Sequence, residues 1–457
     1  MYETLFRHVL FPFYESVLRG RPTLRHLRVL EKQQWLAREE IERIQWRKLR
    51  DLLQHTYEQV PYYREEWDRI GMHPKDIQTP ADFARLPILT KAKIRAHTAE
   101  LEAQDYYGRN TIQSGTGGST GESLRFRYSR DSYAWRIAAA ARSDRWAGWD
   151  WGRKEAYIWG LPLVAGSRVA RLKKAIHHAL LRRRIFNSYE FSTQTLPQVA
   201  ADLAAFRPEY IVGYANPLYV LARFVQEHGL QMPSPRGIVA TAEMIHEHQK
   251  KVIEQAFGCK VFNRYGCREV MLIAAECECR SGLHLNIDNL YIEFVKEDGS
   301  LCRPGEIGRI LLTDLNNYGM PFIRYEVGDL GIPSERICPC GRHLPLMDRV
   351  AGRTLDVIHL PGGRYLTGLF FTHLLLMGDY PGLEAFQFQQ TAADQIVGRF
   401  VRGPGWREEN ITRMHQIVRR NLGDDVHLSF EFVEKIPLTA SGKWRPVIGL
   451  PAELVSA

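Results

Sequence analysis

The chain has 457 residues, 45% hydrophobic and 25% charged, with a formal net charge of +9. That length supports two or three domains around a sizeable core, and no run approaches the ~18 apolar residues of a helical membrane span. Seven cysteines, odd in number and clustered, argue against a secreted disulfide framework and for metal binding or reduced thiols. The opening Met1 to His8 lacks a signal-peptide arrangement, so the cytoplasm is the expected compartment. The positive charge suits anionic ligands, nucleic acid or an acidic membrane surface and by itself selects none of them.

In chain order, Met1 to Asp68 reads as helices, with Leu, Ile, Trp and Val at three- and four-residue spacings, and predicts a helical layer over 1–68. Beyond it, Gln113 to Gly121 packs four glycines among hydroxyl and amide side chains. Strand and helix patterns then alternate: strands at Ala156–Trp159, Tyr210–Val212 and Gly237–Ala240, helices at Thr195–Phe206 and Pro217–His228. That alternation predicts α/β layers. Between them, Arg168 to Ile185 reads as one basic helix with Val169, Leu172, Ile176 and Ala179 on a stripe packed against the body. Tyr291–Val295 and Arg309–Thr313 flank turn residues and predict antiparallel strands. After Gly352 a smaller α+β unit begins: a hairpin over Asp356–Leu366, a helix, two strands around Ala385–Arg402, a helix at Arg407–Leu422 and a strand at Val426–Val433.

Chemistry concentrates in a few motifs. In Ser114, Gly115, Thr116, Gly117, Gly118, Ser119, Thr120 and Gly121 the glycines allow close backbone approach, while amides and hydroxyls supply donors for an anion. No Lys follows, so this is not a P-loop, and the spacing is not that of a dinucleotide fingerprint. Asn263-Arg-Tyr265-Gly266-Cys-Arg-Glu269 places a ring, a close turn and a carboxylate at a strand end, where α/β ligands bind. Pro321 to Leu330 reads as a strand leading into a turn with Asp329 at its tip, and Pro437 to Lys443 puts a lysine on a glycine-containing loop.

Taken in order, these motifs resemble the adenylate-forming superfamily of acyl-CoA synthetases. With Val60-Pro61-Tyr62-Tyr63, Phe206-Arg-Pro208, Gly213-Tyr214 and Cys338-Pro-Cys340-Gly341-Arg342, the chain is similar to the phenylacetate–CoA ligase branch and its capsular-polysaccharide-associated relatives. The resemblance implies an adenylation domain over 1–352 and a smaller mobile C-terminal domain over 353–457. It implies activation of a small carboxylic acid with ATP and Mg²⁺, then transfer to CoA or to another acceptor such as a sugar hydroxyl or amine. The Ser114–Gly121 loop would hold phosphates, Ala242 and Glu243 would flank the adenine and acyl pocket, and Tyr265 would stack on adenine beside Asn263 and Gly266. Glu269 would hold Mg²⁺, Asp329 and Arg353 the ribose, and Lys443 would bridge the carboxylate and α-phosphate. Two departures stand out: Glu122 follows Gly121 where the family has Lys, and the hinge reads Gly352-Arg353-Thr354-Leu355-Asp356 rather than Gly-Arg-x-Asp. Tyr128, Tyr133, Trp135, Trp159 and Tyr214 fall in segments suited to an acyl pocket, with core packing as the alternative.

Cys277, Cys279, His284, Cys338 and Cys340 have the composition of a tetrahedral Zn²⁺ site, although the C-x-C spacing is tight and buried free thiols are the alternative. The relatives' Glu-Cys-x₄-Gly-x-His pattern selects Cys277, His284, Cys338 and Cys340 as ligands within 277–340, with Cys279 in reserve. Cys259, Cys267 and Cys302 read as ordinary thiols. The basic 168–185 segment reads as a solvated helix or, with Leu5 to Val17, as a peripheral contact for anionic membrane; no nucleic-acid-binding module accompanies the charge.

Overall fold

The computed structural model describes residues 2–106, 110–115, 124–160, 168–353, 357–360, 365–367, 380–423, 425–437 and 445–450. The chain opens with a helix at Tyr2–Leu5 that continues in π-helical turns at Phe6–Leu10 and Phe13–Leu18. Helices Thr23–Gln33, Arg38–Gln59 and Pro61–Arg69 follow. The longest buries Ile41, Gln45, Leu49, Leu52, Leu53 and Thr56, a three-to-four-residue stripe. Pro61 stands at the first position of the next helix, where a missing N–H is harmless.

Strands β1 (Thr111–Gly115) and β2 (Arg125–Ser129) pair antiparallel and bracket the glycine run. Parallel strands β3 (Glu155–Trp159), β4 (Arg183–Asn187), β5 (Tyr210–Tyr214), β6 (Gly237–Thr241) and β7 (Val261–Tyr265) lie in the order β4-β3-β5-β6-β7. From β7 the same sheet continues antiparallel through β8 (Ala274–Glu276), β9 (Leu283–Leu285), β10 (Leu290–Val295), β11 (Gly308–Asp314), β12 (Tyr325–Ser334) and β13 (Leu346–Arg353), in the order β8-β9-β13-β12-β11-β10. Helices Leu196–Phe206, Ala215–Glu227 and Glu247–Phe257 supply the crossovers after β4, β5 and β6. A hairpin of β14 (Val357–His359) and β15 (Tyr365–Thr367) follows. A separate sheet has β16 (Leu383–Ala392), β17 (Gln395–Arg402), β18 (His427–Phe432) and β19 (Val447–Ile448) in the order β18-β17-β16-β19, with its own core around Phe386, Phe388, Phe400 and Met414 of helix Glu409–Leu422. The expected α/β class, with a smaller α+β unit last, is the one observed.

Two local expectations fail for physical reasons. The basic helix stops at Leu180; Arg182 turns left-handed at φ 51°, and residues 183–187 become edge strand β4, because Ile185 and Phe186 continue the β3 ladder and Phe186 is buried. Its Leu172 and Ile176 face solvent rather than the body. Asp329 is not at a turn tip. It lies inside β12, with β11 and β13 on either side, and the sheet absorbs Gly328 (φ 88°) and register shifts instead of turning.

Helix Arg130–Trp146, unread in the sequence, ties these parts together through buried charges. Arg136 meets Asp314 at 2.7 Å at the end of β11, and Asp144 meets Arg264 of β7 at 2.7 Å. Arg142 is forked onto Asp288, with Asn286 Oδ1 at 2.8 Å from Nη2 and the Leu30 carbonyl accepting from Nη1. Removing one partner strands a charge in the interior. Arg142→Met is expected to lower stability by about 3–5 kcal/mol, read as a fall in the denaturant midpoint; an unchanged midpoint would show that the pair carries no such role.

Candidate active site

Parallel strands bring every segment that follows them to one edge of the sheet, and the sequence motifs meet there. Trp159 ends β3 and Tyr214 ends β5, with ring centroids 4.4 Å apart. Ala242 follows β6 with φ 66°, a left-handed backbone costly for a residue with a Cβ and typical of functional turns. Glu243, next to it, accepts the Asn216 backbone N–H at 2.9 Å and so links the β5 and β6 ends. Tyr189 packs on this edge: a Cβ at Gly160 would lie 2.2 Å from its ring. Burial pushes the Tyr214 phenol up to about 12, assisted by Tyr189 and Glu243.

At the end of β7, the Tyr265 hydroxyl donates to Asp329 Oδ2 at 2.8 Å, bridging the parallel and antiparallel halves of the sheet. Asn263 is held in the strand by its N–H, 2.7 Å from Glu276 Oε2. Gly266 has no substitute, since a Cβ there would sit 1.9 Å from the Met271 carbonyl oxygen. Glu269, buried four residues after Tyr265, accepts the Tyr325 hydroxyl at 2.6 Å. Arg268 donates to the Gly115 carbonyl at 2.8 Å, which pins the start of the glycine run to this edge. Cys267 is partly buried, and desolvation, with Glu269 nearby, holds its thiol above the ordinary range, which disfavours the thiolate.

Ser114 and Gly115 thus reach the edge through β1, and Arg353 pairs by its backbone opposite Asp329. Thr116, Gly117, Gly118, Ser119, Thr120, Gly121, Glu122, Leu355, Asp356 and Lys443 lie outside the described residues. Sequence reasoning overlooked Tyr325 and Arg268, although both stand within quoted motifs; a tyrosine and an arginine beside acidic motif residues were the available signal. Of the five aromatics, Trp159 and Tyr214 are at the edge. Tyr128 and Tyr133 stack on each other at 5.6 Å, and Trp135 stacks on His26 of an N-terminal helix at 3.9 Å; Tyr128 and Trp135 are half-buried against the main core.

A second cluster gathers Cys277, His284, Cys338 and Cys340, whose ligand atoms all lie within 4.8 Å of one another. Cys277 Sγ is 3.5 Å from Cys338 Sγ, too far for a disulfide, and Cys340 Sγ is 3.4 Å from His284 Nε2. His284 Nδ1 faces the Leu344 carbonyl at 3.2 Å, which orients the ring with Nε2 towards the sulfurs. Burial pushes the His284 pKa down to about 4, leaving a neutral imidazole, the ligating form. Cys279 is exposed and outside the cluster. Three sulfurs and one imidazole suit tetrahedral Zn²⁺. The cluster joins the β8–β9 turn to the β12–β13 loop, past the end of β8 remote from the Ala274–Tyr265 pairing.

This architecture is the fold of the adenylate-forming CoA ligases. 2-Hydroxyisobutyryl-CoA ligase, solved in its postadenylation state, superposes with a TM-score of 0.71 at 20% identity over 93% of this chain and 92% of its own. Among sequence homologues are a phenylacetate–coenzyme A ligase of Thermus thermophilus, 28% identical over 72% of this chain and 73% of its own, and Protein CapK of Staphylococcus aureus, 24% identical over 84% of each. Residues 363–449 match the CapK C-terminal domain family. The chain is therefore a homologue of the phenylacetate–CoA ligases and of CapK.

Because Tyr325 is fully buried, Tyr325→Phe leaves the Glu269 carboxylate without its donor; a loss of about 1–3 kcal/mol in unfolding free energy is expected. An unaltered unfolding curve would remove this bond from the site's support.

Proposed function

We propose that the protein activates a carboxylic acid, of the acyl or aryl type, as its acyl-adenylate and then transfers the acyl group to CoA. The observation that carries this reading is the meeting of Tyr265, Asp329, Glu269 and the β1 end of the glycine run at one strand edge. In the first step a substrate carboxylate oxygen attacks the α-phosphorus of ATP and the bond to pyrophosphate breaks. In the second the CoA thiol, losing its proton, attacks the acyl carbon and AMP leaves.

Each side chain then has a task. The Tyr265 ring offers its face to adenine, with Asn263, Gly266, Ala242 and Glu243 shaping the adjoining wall. Asp329 accepts from the ribose hydroxyls, beside Arg353. Ser114 to Gly121 would supply amide and hydroxyl donors to the outer phosphates. Glu269 would hold Mg²⁺, which supplies charge neutralisation at the phosphates when bound. Lys443 would bridge the carboxylate and the α-phosphate and place positive charge where negative charge develops. The C-terminal unit from Arg353 onward is assigned the part of a lid that exchanges Lys443 for a thioester-forming face. Such chemistry draws on ATP and CoA, in keeping with a cytoplasmic enzyme; among the described residues no helix is long and apolar enough to cross a membrane.

One alternative acceptor has specific support: the hinge sequence departs from the family pattern, and the match to CapK covers more of the chain than that to the Thermus ligase. In that reading the adenylate passes to a hydroxyl or amine in surface-polysaccharide assembly.

The test is acid-dependent pyrophosphate release over a panel of carboxylic acids, with and without CoA. Lys443→Ala is expected to slow the first half-reaction on the order of 10²–10³-fold. Release that requires no acid, or a Lys443→Ala variant equal to the parent, overturns adenylation; thioester-free turnover with an amine or sugar favours the alternative.

The Cys277, His284, Cys338 and Cys340 cluster is assigned a structural Zn²⁺. Metal analysis should find about one zinc per chain, lost together with thermal stability in Cys277→Ser/Cys338→Ser. Less than about 0.2 zinc per chain in the parent would refute it.

A further inference from the structure

The first helix of the chain is apolar on two faces. One face is anchored: Phe6 and Phe11 are buried, and Phe11 stacks on Trp151 at 3.7 Å. The other carries Leu5, Val9, Phe13 and Val17, between 48% and 65% exposed. Their four-residue spacing would drift around a pure α-helix of 3.6 residues per turn, but the wider π turns at Phe6–Leu10 and Phe13–Leu18 offset that drift and hold the four near one line.

A second exposed apolar pair lies beside this line. Helix Arg168–Leu180 is fastened along the first helix at two points: the Tyr14 hydroxyl is 3.2 Å from His177 Nδ1, and the Tyr2 hydroxyl donates to the Leu180 carbonyl at 2.6 Å. On it Leu172 and Ile176 are 62% and 59% exposed. Six large apolar side chains on two neighbouring helices therefore face outward, although each helix has polar residues that could have stood there.

The charge around them is mainly positive. Residues 168–187 contain seven Arg or Lys and no Asp or Glu; Arg183 and Arg184 are paired with Glu155 and Asp202, and four of the other five belong to helix Arg168–Leu180. In the first helix, Glu3 is neutralised by Arg7 and Arg153, and Glu15 is buried against Arg21, while His8 and Arg19 are exposed. An apolar strip on two helices whose sequence carries a cationic excess matches the headgroup and acyl boundary of an anionic bilayer.

We propose that Tyr2–Leu18 and Arg168–Leu180 together form a docking surface for anionic membrane, with Val9, Phe13, Leu172 and Ile176 entering the interface. Docking does not depend on the ligase reading and is tested without its substrates.

The full chain is sedimented with vesicles of phosphatidylcholine containing about 30 mol% phosphatidylglycerol and with pure phosphatidylcholine. Binding is expected on the anionic vesicles only, and should weaken as NaCl rises from about 0.1 to 0.5 M. Val9→Glu/Phe13→Glu and, separately, Leu172→Glu/Ile176→Glu should each reduce partitioning at least about tenfold, with unchanged circular dichroism, whereas Ile337→Glu, an exposed residue elsewhere, should not. Phe13→Ser provides a milder variant should either pair fail to fold. Equal binding to both vesicle types, no binding to either, or full binding by the folded variants overturns the proposal. So does a parent dimer, measured by light scattering, that Val9→Glu/Phe13→Glu converts to monomer, since the strip would then be a self-association face.

Discussion

Everything in the large sheet depends on helix Arg130–Trp146 and the charges it buries. A charge taken from water is tolerated only with a partner of good geometry, and each of its three, Arg136, Arg142 and Asp144, finds one on a different part of the sheet: Asp314 at the end of β11, Asp288 before β10, and Arg264 in β7. A helix that could slide along an apolar sheet face is thereby fixed in one register. The parallel and antiparallel halves share this reference.

That registration matters because the site is assembled across the boundary between the halves. Tyr265 and Glu269 come from the parallel side, and Asp329 and Tyr325 from β12, yet they meet in two hydrogen bonds of 2.8 and 2.6 Å. A misplacement of an ångström would break either bond. The rigidity needed at a strand edge is supplied by a helix whose own residues take no part in the proposed chemistry.

What was legible in the sequence follows from what acts locally. The strands at 210–212 and 237–240 and the helices between them were readable because periodicity and turn residues are local signals. Residues 263–269 were expected at a strand end from their motif, and Cys277, His284, Cys338 and Cys340, which the structure gathers, were selected from five candidates by the family resemblance. The helix at 130–146 was not read: Arg, Asp and Ser occupy its buried face, so its pattern shows no apolar stripe. The end of the basic helix at Leu180 depends on β3 offering a free edge, which is tertiary information. Asp329 was expected at a turn because Gly328-Asp329 is turn chemistry in isolation; two flanking strands overrode it. Tyr325 and Arg268 were passed over because their roles exist only once distant segments touch.

The Cys277–Cys338 contact brings together residues 61 positions apart, and a metal ion held by this cluster would close the chain into a ring at that point. β9 to β12 lie inside the ring, with Tyr325 and Asp329; Tyr265 and Glu269 lie outside it. Closing a loop of this size has an entropy that grows only slowly with length, about 0.6 kcal/mol for each doubling. The turns within the ring could therefore lengthen or shorten at little cost, while its strands stay fixed in register by the sheet. The two hydrogen bonds of the site are rungs between the ring and the rest of the chain.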